Sequence, residues 1–91
     1  MNIIESAQKA LDDEIKGLSL LKNFFDSNFE EAVNTIFKTK GKVVVTGVGK
    51  SGHIGRKISA TLSSTGTPSY FVHPTEASHG DMGMIENNDI I

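Results

Sequence analysis

The sequence lacks cysteine and has only two prolines among its 91 residues. Without cysteine it has no disulfide, no thiolate nucleophile and no cysteine-ligated zinc or iron–sulfur site. It also lacks an apolar run near the ~20 residues that a membrane-spanning helix requires, and its N-terminus lacks the basic-then-apolar order of a signal peptide. Together these absences predict a soluble, cytoplasmic protein with no membrane partner.

The charge balance argues against a polyanionic partner. Nine Lys and Arg residues face eleven Asp and Glu residues, for a net charge of −2. A chain with this balance is not a nucleic-acid binder as a whole. Locally, however, Lys50, Arg56 and Lys57 lie in an acid-free stretch beside glycines, which suits a small anion.

Two amphipathic helices are expected in residues 1–40, an N-terminal helical segment. Apolar residues recur every three or four positions from Ile3 to Phe25, which predicts the first helix. Ser27 and Glu30 form a capping-box pattern for the second helix. Gly41 stands where a left-handed C-terminal cap belongs.

The pattern changes in residues 41–91, where β-branched runs alternate with a glycine-rich turn. In chain order we expect a buried strand at Val43–Val45, a turn at Gly47–Gly52, a helix at His53–Ser64 ended by Gly66 and Pro68, a strand at Ser69–Val72, a loop at His73–Asn88 and the start of a third strand at Asp89–Ile91. This order predicts an α/β fold, the first half of a doubly wound parallel sheet. Such a half-built sheet has an open edge, so we expect the front of a longer protein.

The turn Gly47–Gly52 is the part of the sequence with the features of an anion-binding site. Glycines let the backbone approach a ligand, while the free N–H groups at a helix start attract an anion. Lys50 adds a positive charge, Ser51 a hydroxyl and Gly49 close backbone access, which together predict a phosphate site. The alternative is a tight strand-to-helix turn that uses glycine for geometry alone.

Two nucleotide-binding interpretations fail at their discriminating positions. The turn matches G-x-G-x-x-G, but the second strand ends in Val72-His73 without the acid that would hold a ribose. Gly49-Lys50-Ser51 is also similar to the end of a P-loop, yet Val44 stands where that motif needs glycine.

Segments longer than the glycine-rich turn allow a more specific comparison with known protein families. Residues 47–57, 64–69, 71–74 and 79–84 closely resemble the arabinose-5-phosphate isomerase family, whose members carry a sugar isomerase (SIS) domain usually followed by CBS domains. The resemblance runs from about Gly41 to Ile91, and more loosely through the first two helices. It implies interconversion of D-arabinose 5-phosphate and D-ribulose 5-phosphate through an enediol(ate), toward Kdo for lipopolysaccharide or capsule. That chemistry needs a base, a proton shuttle and positive charge near the oxyanion, but no redox cofactor or catalytic metal.

The resemblance also implies residue roles. Lys50 matches a catalytic lysine, with a solvated surface lysine as the alternative. Gly66, Thr67 and His79 match substrate-binding positions, although Gly66 and Thr67 equally fit a plain helix stop. His73 matches a position that binds inhibitory zinc.

The resemblance further implies a phosphosugar substrate and a homo-oligomer, a tetramer, at full length. The family's second phosphate loop follows the third strand, so residues 1–91 alone are expected to be inactive. The rival function is a non-catalytic SIS module that binds a phosphosugar to regulate a partner or DNA. Such regulators usually begin with a basic helix-turn-helix, whereas residues 1–40 contain more acids than lysines.

Overall fold

A computed structural model describes residues 2–91. The chain divides into two compact units, Met1–Val33 and Asn34–Ile91, and the boundary falls within the second helix. Among the described residues, none of the helices has the length and apolar character needed to cross a bilayer.

The first helix, α1, spans Ile3–Leu20 and continues as a 3-10 turn at Leu21–Phe24. Asn2 caps it, because the Asn2 side chain accepts a hydrogen bond from the Glu5 N–H at 3.1 Å. The predicted helix is therefore confirmed, with a tighter last turn. Its apolar face stays open to solvent, since α1 contains no buried residue and Leu18 is 65% exposed.

The second helix, α2, spans Ser27–Lys38, and its predicted caps are wrong at both ends. Asp26 caps the N-terminus instead of Ser27, because one Asp26 carboxylate oxygen accepts from the Asn28 and Phe29 N–H groups. Gly41 does not adopt the left-handed conformation. It is needed for a different reason: a Cβ there would collide with the Asn88 carbonyl group.

The sheet is parallel, as predicted. Strand β1 is Val43–Val45 and strand β2 is Ser69–Phe71, with Val44 opposite Tyr70. On its other side β1 forms a parallel bridge to Ile90, whose carbonyl accepts from the Val44 N–H at 2.7 Å. β1 thus lies between two parallel neighbours, and the β-branched run is buried at Val43 and Val44.

The third helix, α3, spans Gly49–Ser64 and begins earlier than predicted. The Gly52 N–H already donates to the Val48 carbonyl at 3.1 Å, so the last four residues of the expected turn form the first helical turn. Its buried residues are Gly52, Gly55 and Ser59, whereas Ile54 is 61% exposed. Small residues therefore form the face that packs on β1 and β2.

Hydroxyl groups join α3 to β2. The buried Ser59 hydroxyl pairs with the Ser69 hydroxyl at 2.8 Å, and the Ser63 hydroxyl donates to the Ser69 carbonyl at 2.8 Å. The helix ends as predicted, because Gly66 adopts φ +101° and lets the Thr67 N–H reach the Leu62 carbonyl at 2.8 Å. This cap explains Gly66 without a ligand.

The predicted loop at His73–Asn88 is wrong, because it contains helix α4 at Pro74–Ser78 and a 3-10 turn at Asp81–Met84. The side chain of His73 caps α4, and Pro74 occupies the first position of this helix. An N–H group at that position has no hydrogen-bond partner within the helix, so proline, which lacks the group, is tolerated there. A histidine cap followed by proline is a weaker sequence signal than a Ser or Asp cap.

Asp89 fixes the segment that leads to Ile90. Its two carboxylate oxygens accept from the Lys42 N–H at 2.7 Å and from the Glu86 N–H at 2.8 Å. The hydrogen bonds from Glu86 and then Lys42 lower the pKa of the Asp89 carboxyl. The carboxylate thereby ties the turn before Ile90 to the start of β1.

The close packing of α3 predicts opposite effects for two glycine substitutions in the whole protein. A Cβ at Gly52 would lie 2.6 Å from the Gly47 carbonyl oxygen, so Gly52→Ala should cost about 1–3 kcal/mol of unfolding free energy. Gly17 lies within α1 with nothing near its missing Cβ, so Gly17→Ala should stabilise by up to about 1 kcal/mol. Thermal melts test both, and an unchanged melting temperature in Gly52→Ala would refute the close contact.

Asp89 predicts an acid-dependent loss of stability. Because the pKa of Asp89 is lower in the folded state, its contribution is complete above the unfolded pKa and disappears as the pH falls through the folded pKa. The melting temperature of Asp89→Asn should therefore fall less than that of the wild type between about pH 5 and pH 3. Asp12→Asn, on the exposed surface of α1, serves as the control. Parallel curves for wild type and Asp89→Asn would contradict this prediction.

Candidate functional site

A cavity of about 130 Å³ opens where β1 and β2 end and α3 begins. In parallel α/β sheets, ligands bind outside the carboxyl ends of the strands, so its position is that of a binding site. Its lining residues are Gly47, Gly49, Gly52, His53, Arg56, Phe71 and His73.

Glycines shape one wall of this cavity. Gly49 adopts φ +59°, a left-handed conformation that a side chain would strain. Gly52 lies against the Gly47 carbonyl, too close for any Cβ. Backbone geometry alone thus accounts for both glycines, and it also leaves the cavity wall free of side chains at these positions.

The cavity has basic side chains and no acidic one. The guanidinium carbon of Arg56 lies 4.2 Å from the centroid of the Phe71 ring, a cation–π distance. His53 and His73 also line the cavity, whereas none of the Asp and Glu residues in the described part of the chain does. The arrangement suits an anion.

His73 has a defined hydrogen-bonding role. Its Nδ1 accepts a hydrogen bond from the Thr75 N–H at 3.1 Å, so the neutral ring carries its proton on Nε2. Within residues 2–91, no group of three or more His, Asp and Glu side chains has a metal-binding arrangement. These residues do not form a zinc site by themselves, and the zinc role of His73 stays a prediction.

The other predicted site residues fall into two groups. Gly49 lines the cavity, and Lys50 and Ser51 follow it in the first turn of α3 with exposed side chains. Gly66 and Thr67 follow the opposite end of α3, and α3 extends about 22 Å along its axis from Gly49. His79, also exposed, is the C-cap of α4. Within one copy of residues 2–91, Gly49 and His73 are the predicted site residues that meet at the cavity.

Sequence reasoning missed Arg56 and Phe71 as site residues. Arg56 belongs to the noted basic stretch, and it follows Gly52 by four positions, which places both on one side of α3. Phe71 is the last residue of β2, and its apolar side chain does not mark it in the sequence as a candidate for a binding site. The spacing from Gly52 to Arg56 was the signal that could have identified the arginine.

Comparison with proteins of known sequence gives a consistent assignment. The SIS domain model matches residues 35–91. The chain is 53% identical over 87 residues to arabinose 5-phosphate isomerase KdsD of Yersinia pestis, covering 96% of this chain and 26% of that protein. It is 51% identical over 89 residues to arabinose 5-phosphate isomerase GutQ of Escherichia coli K12, covering 98% of this chain and 28% of that protein. The chain therefore spans about a quarter of the length of these relatives and is similar to their N-terminal part.

Solved structures show the same fold. An Escherichia coli CFT073 protein, c3406, in complex with arabinose 5-phosphate matches with a TM-score of 0.84 and 42% identity, over 98% of this chain and 49% of that chain. A Bacteroides fragilis protein named as a phosphosugar isomerase involved in capsule formation matches with a TM-score of 0.84 and 39% identity, over 97% of this chain and 47% of that chain.

These matches confirm the resemblance noted from residues 47–84 and the α/β fold expected from it. The parallel strands, the glycine-rich start of α3 and the cavity beside them lie within the matched residues. The chain belongs to the SIS domain family.

Proposed function

We propose that this chain is the first part of an aldose–ketose isomerase that interconverts D-arabinose 5-phosphate and D-ribulose 5-phosphate. The observation that carries the proposal is identity of about half of all positions, over nearly the whole chain, to proteins named arabinose 5-phosphate isomerase. A neighbour of the same fold in complex with arabinose 5-phosphate supports a phosphosugar as the substrate.

The proposed reaction moves a proton between adjacent carbons. A base removes the proton from C2 of the aldose and the carbonyl oxygen O1 becomes an enediolate oxygen; O1 then gains a proton, O2 loses its proton to become the carbonyl oxygen of the ketose, and a proton is returned to C1. Positive charge near the enediolate oxygen lowers the barrier. The acid-free cavity of the described residues fits this electrostatic role, but it provides no carboxylate base.

We assign Lys50 to the stabilisation of that oxygen. It directly follows the cavity-lining Gly49, it lies in the first turn of α3, and its exposed side chain has no acidic partner among residues 2–91. We propose Ser51 as a substrate-binding residue because its hydroxyl lies in the glycine-rich turn, and Gly66, Thr67 and His79 on the strength of the resemblance. We further propose that the whole protein is a cytoplasmic homo-oligomer that acts in Kdo biosynthesis.

A non-catalytic phosphosugar sensor is the second candidate. The observation in its favour is that the cavity is lined by basic side chains, which can bind a phosphosugar without converting it. The two functions differ in turnover. Conversion of D-arabinose 5-phosphate by the whole protein supports the isomerase, and saturable binding without conversion supports the sensor.

The isomerase proposal predicts that Lys50→Ala in the whole protein lowers kcat/KM by about tenfold or more, because one charge near the developing oxyanion is lost. Lys57→Ala is the matched control, since Lys57 is an exposed lysine of the same helix that lies about two turns beyond Lys50. Steady-state kinetics in both directions provide the measurement. Wild-type kinetics in Lys50→Ala would remove this lysine from the mechanism.

The same proposal predicts zinc inhibition without a zinc requirement. His73 offers one ring to a metal, so further ligands must come from the substrate or from the rest of the whole protein. Micromolar zinc should lower the isomerase rate, a chelator should restore it, and His73→Asn should be less sensitive. Loss of activity in the chelator would contradict the prediction and indicate a required metal.

A further inference from the structure

Strand β2 has an open outer side. β1 lies on its inner side and Ile90 lies beyond β1, so no strand within residues 2–91 pairs with the outer side of β2. The backbone N–H and C=O groups along such an edge can pair with a strand of another molecule, which is a common route to unwanted association. The outward groups of β2 therefore need a cover.

Two residues of β2 direct their backbone groups outward. The Val72 N–H donates to the Val45 carbonyl at 2.9 Å, so Val72 faces β1 and, by the two-residue period of a strand, Tyr70 does too. The N–H and C=O groups of one strand residue lie on the same side of the strand. Ser69 and Phe71 therefore present both of their backbone groups away from β1.

The side chain of Ser63, in the last turn of α3, already binds both outward groups of Ser69. Its hydroxyl donates to the Ser69 carbonyl at 2.8 Å and accepts from the Ser69 N–H at 3.2 Å. A hydroxyl can do both at once, because it has one donor and two acceptor lone pairs. A neighbouring strand would use the same two groups, so the hydroxyl takes the place of a strand at this position.

A second copy of this chain is the partner that the uncovered edge would fit. Two β2 edges related by a two-fold axis can pair in antiparallel orientation, with Ser69 of each copy opposite Phe71 of the other. Each of these two hydrogen-bonded pairs includes one Ser69, so a cover on Ser69 prevents both. The segment from Ser69 to Val72 is uncharged and rich in residues with high β propensity, and it carries no lysine that would repel its own copy.

We propose that the Ser63 hydroxyl protects the outer edge of β2 from pairing with the β2 edge of a second copy. The outward groups of Phe71 form no hydrogen bond within residues 2–91. A strand held at that single residue does not gain enough hydrogen bonding to offset the conformational entropy that it loses. Removal of the Ser63 hydroxyl makes the second position available and completes the pairing surface.

The test is sedimentation velocity of the whole protein over a range of concentrations, well below its melting temperature. Ser63→Ala should form an additional species of doubled mass whose fraction rises with concentration, whereas the wild type should not. Ser63→Thr keeps the hydroxyl and should behave as the wild type does. Ser64→Ala is the matched control, because the hydroxyl of this neighbouring serine donates within α3, to the Thr61 carbonyl at 3.0 Å.

A second control separates exposure of the edge from loss of stability. The buried Ser59 hydroxyl pairs with the Ser69 hydroxyl at 2.8 Å, so Ser59→Ala weakens the contact between α3 and β2 but leaves Ser63 on the Ser69 backbone. Ser59→Ala should therefore lower the melting temperature without producing the species of doubled mass.

Hydrogen exchange, followed by mass spectrometry of peptides that span residues 68–72, locates the contact. In Ser63→Ala the exchange should become faster at low protein concentration, because the Ser69 N–H has lost its acceptor. It should become slower again at high concentration, where a second copy protects the same amide. In the wild type the exchange of this segment should not depend on concentration.

Three results would overturn the proposal. The first is a folded Ser63→Ala variant that keeps the wild-type mass at every concentration. The second is equal association of Ser59→Ala, because loss of stability would then be the cause. The third is association of Ser63→Ala without renewed protection of residues 68–72, because the contact would then lie elsewhere. None of these measurements depends on isomerase activity.

Discussion

The structure of residues 34–91 depends on how closely α3 approaches the sheet. Gly52 and Gly55 allow that approach, since a Cβ at either position would contact the Gly47 carbonyl or the side chains of Val45 and Phe71. The hydrogen bond between Ser59 and Ser69 holds the next turn of the helix at the same short distance. The cavity exists because the helix starts directly above the strand ends, and Arg56 reaches Phe71 for the same reason.

Because α3 packs on the sheet through small residues, its large apolar residues lie on the opposite, exposed side of the helix. With glycines and a serine against the sheet, Ile54 and Ile58 lie on the exposed side of α3, 61% and 49% exposed. Within residues 2–91 the buried apolar side chains are Val43, Val44 and Val72. A parallel sheet needs cover on both faces, so a core of this size agrees with a chain that spans about half of its structural neighbours.

The parts of the fold that sequence predicted are those with a strong local period or residue signal. The run of valines predicted β1, the recurrence of apolar residues every three or four positions predicted α1, and Gly66 before Pro68 predicted the end of α3. One error arose where a distant segment determines the local structure. Gly41 looks like a helix cap in sequence, but it is required by the backbone of Asn88, nearly fifty positions away.

The residues of the candidate site also differ in how well the sequence predicted them. Gly49 and His73 were predicted as site residues because a glycine turn and a family motif are each contiguous in sequence, and both residues line the cavity. Arg56 was noted only as one of three basic residues, because its four-residue spacing from Gly52, which Lys57 does not share, was not used. In the fold, α3 places Arg56 over the ring of Phe71 and leaves Lys57 away from the cavity. Arg56 and Lys57 are consecutive residues, so their side chains leave the helix about one hundred degrees apart around its axis. That rotation is enough to place Arg56 at the cavity and Lys57 on the surface.

The position of the charges also constrains the chemistry that residues 2–91 can contribute. Basic side chains line the cavity and none of the carboxylates in the described residues does, an arrangement that stabilises an anion. In the proposed isomerase, a carboxylate base would have to lie apart from these cations, because pairing with Arg56 or Lys50 would lower its pKa and make it a weaker base.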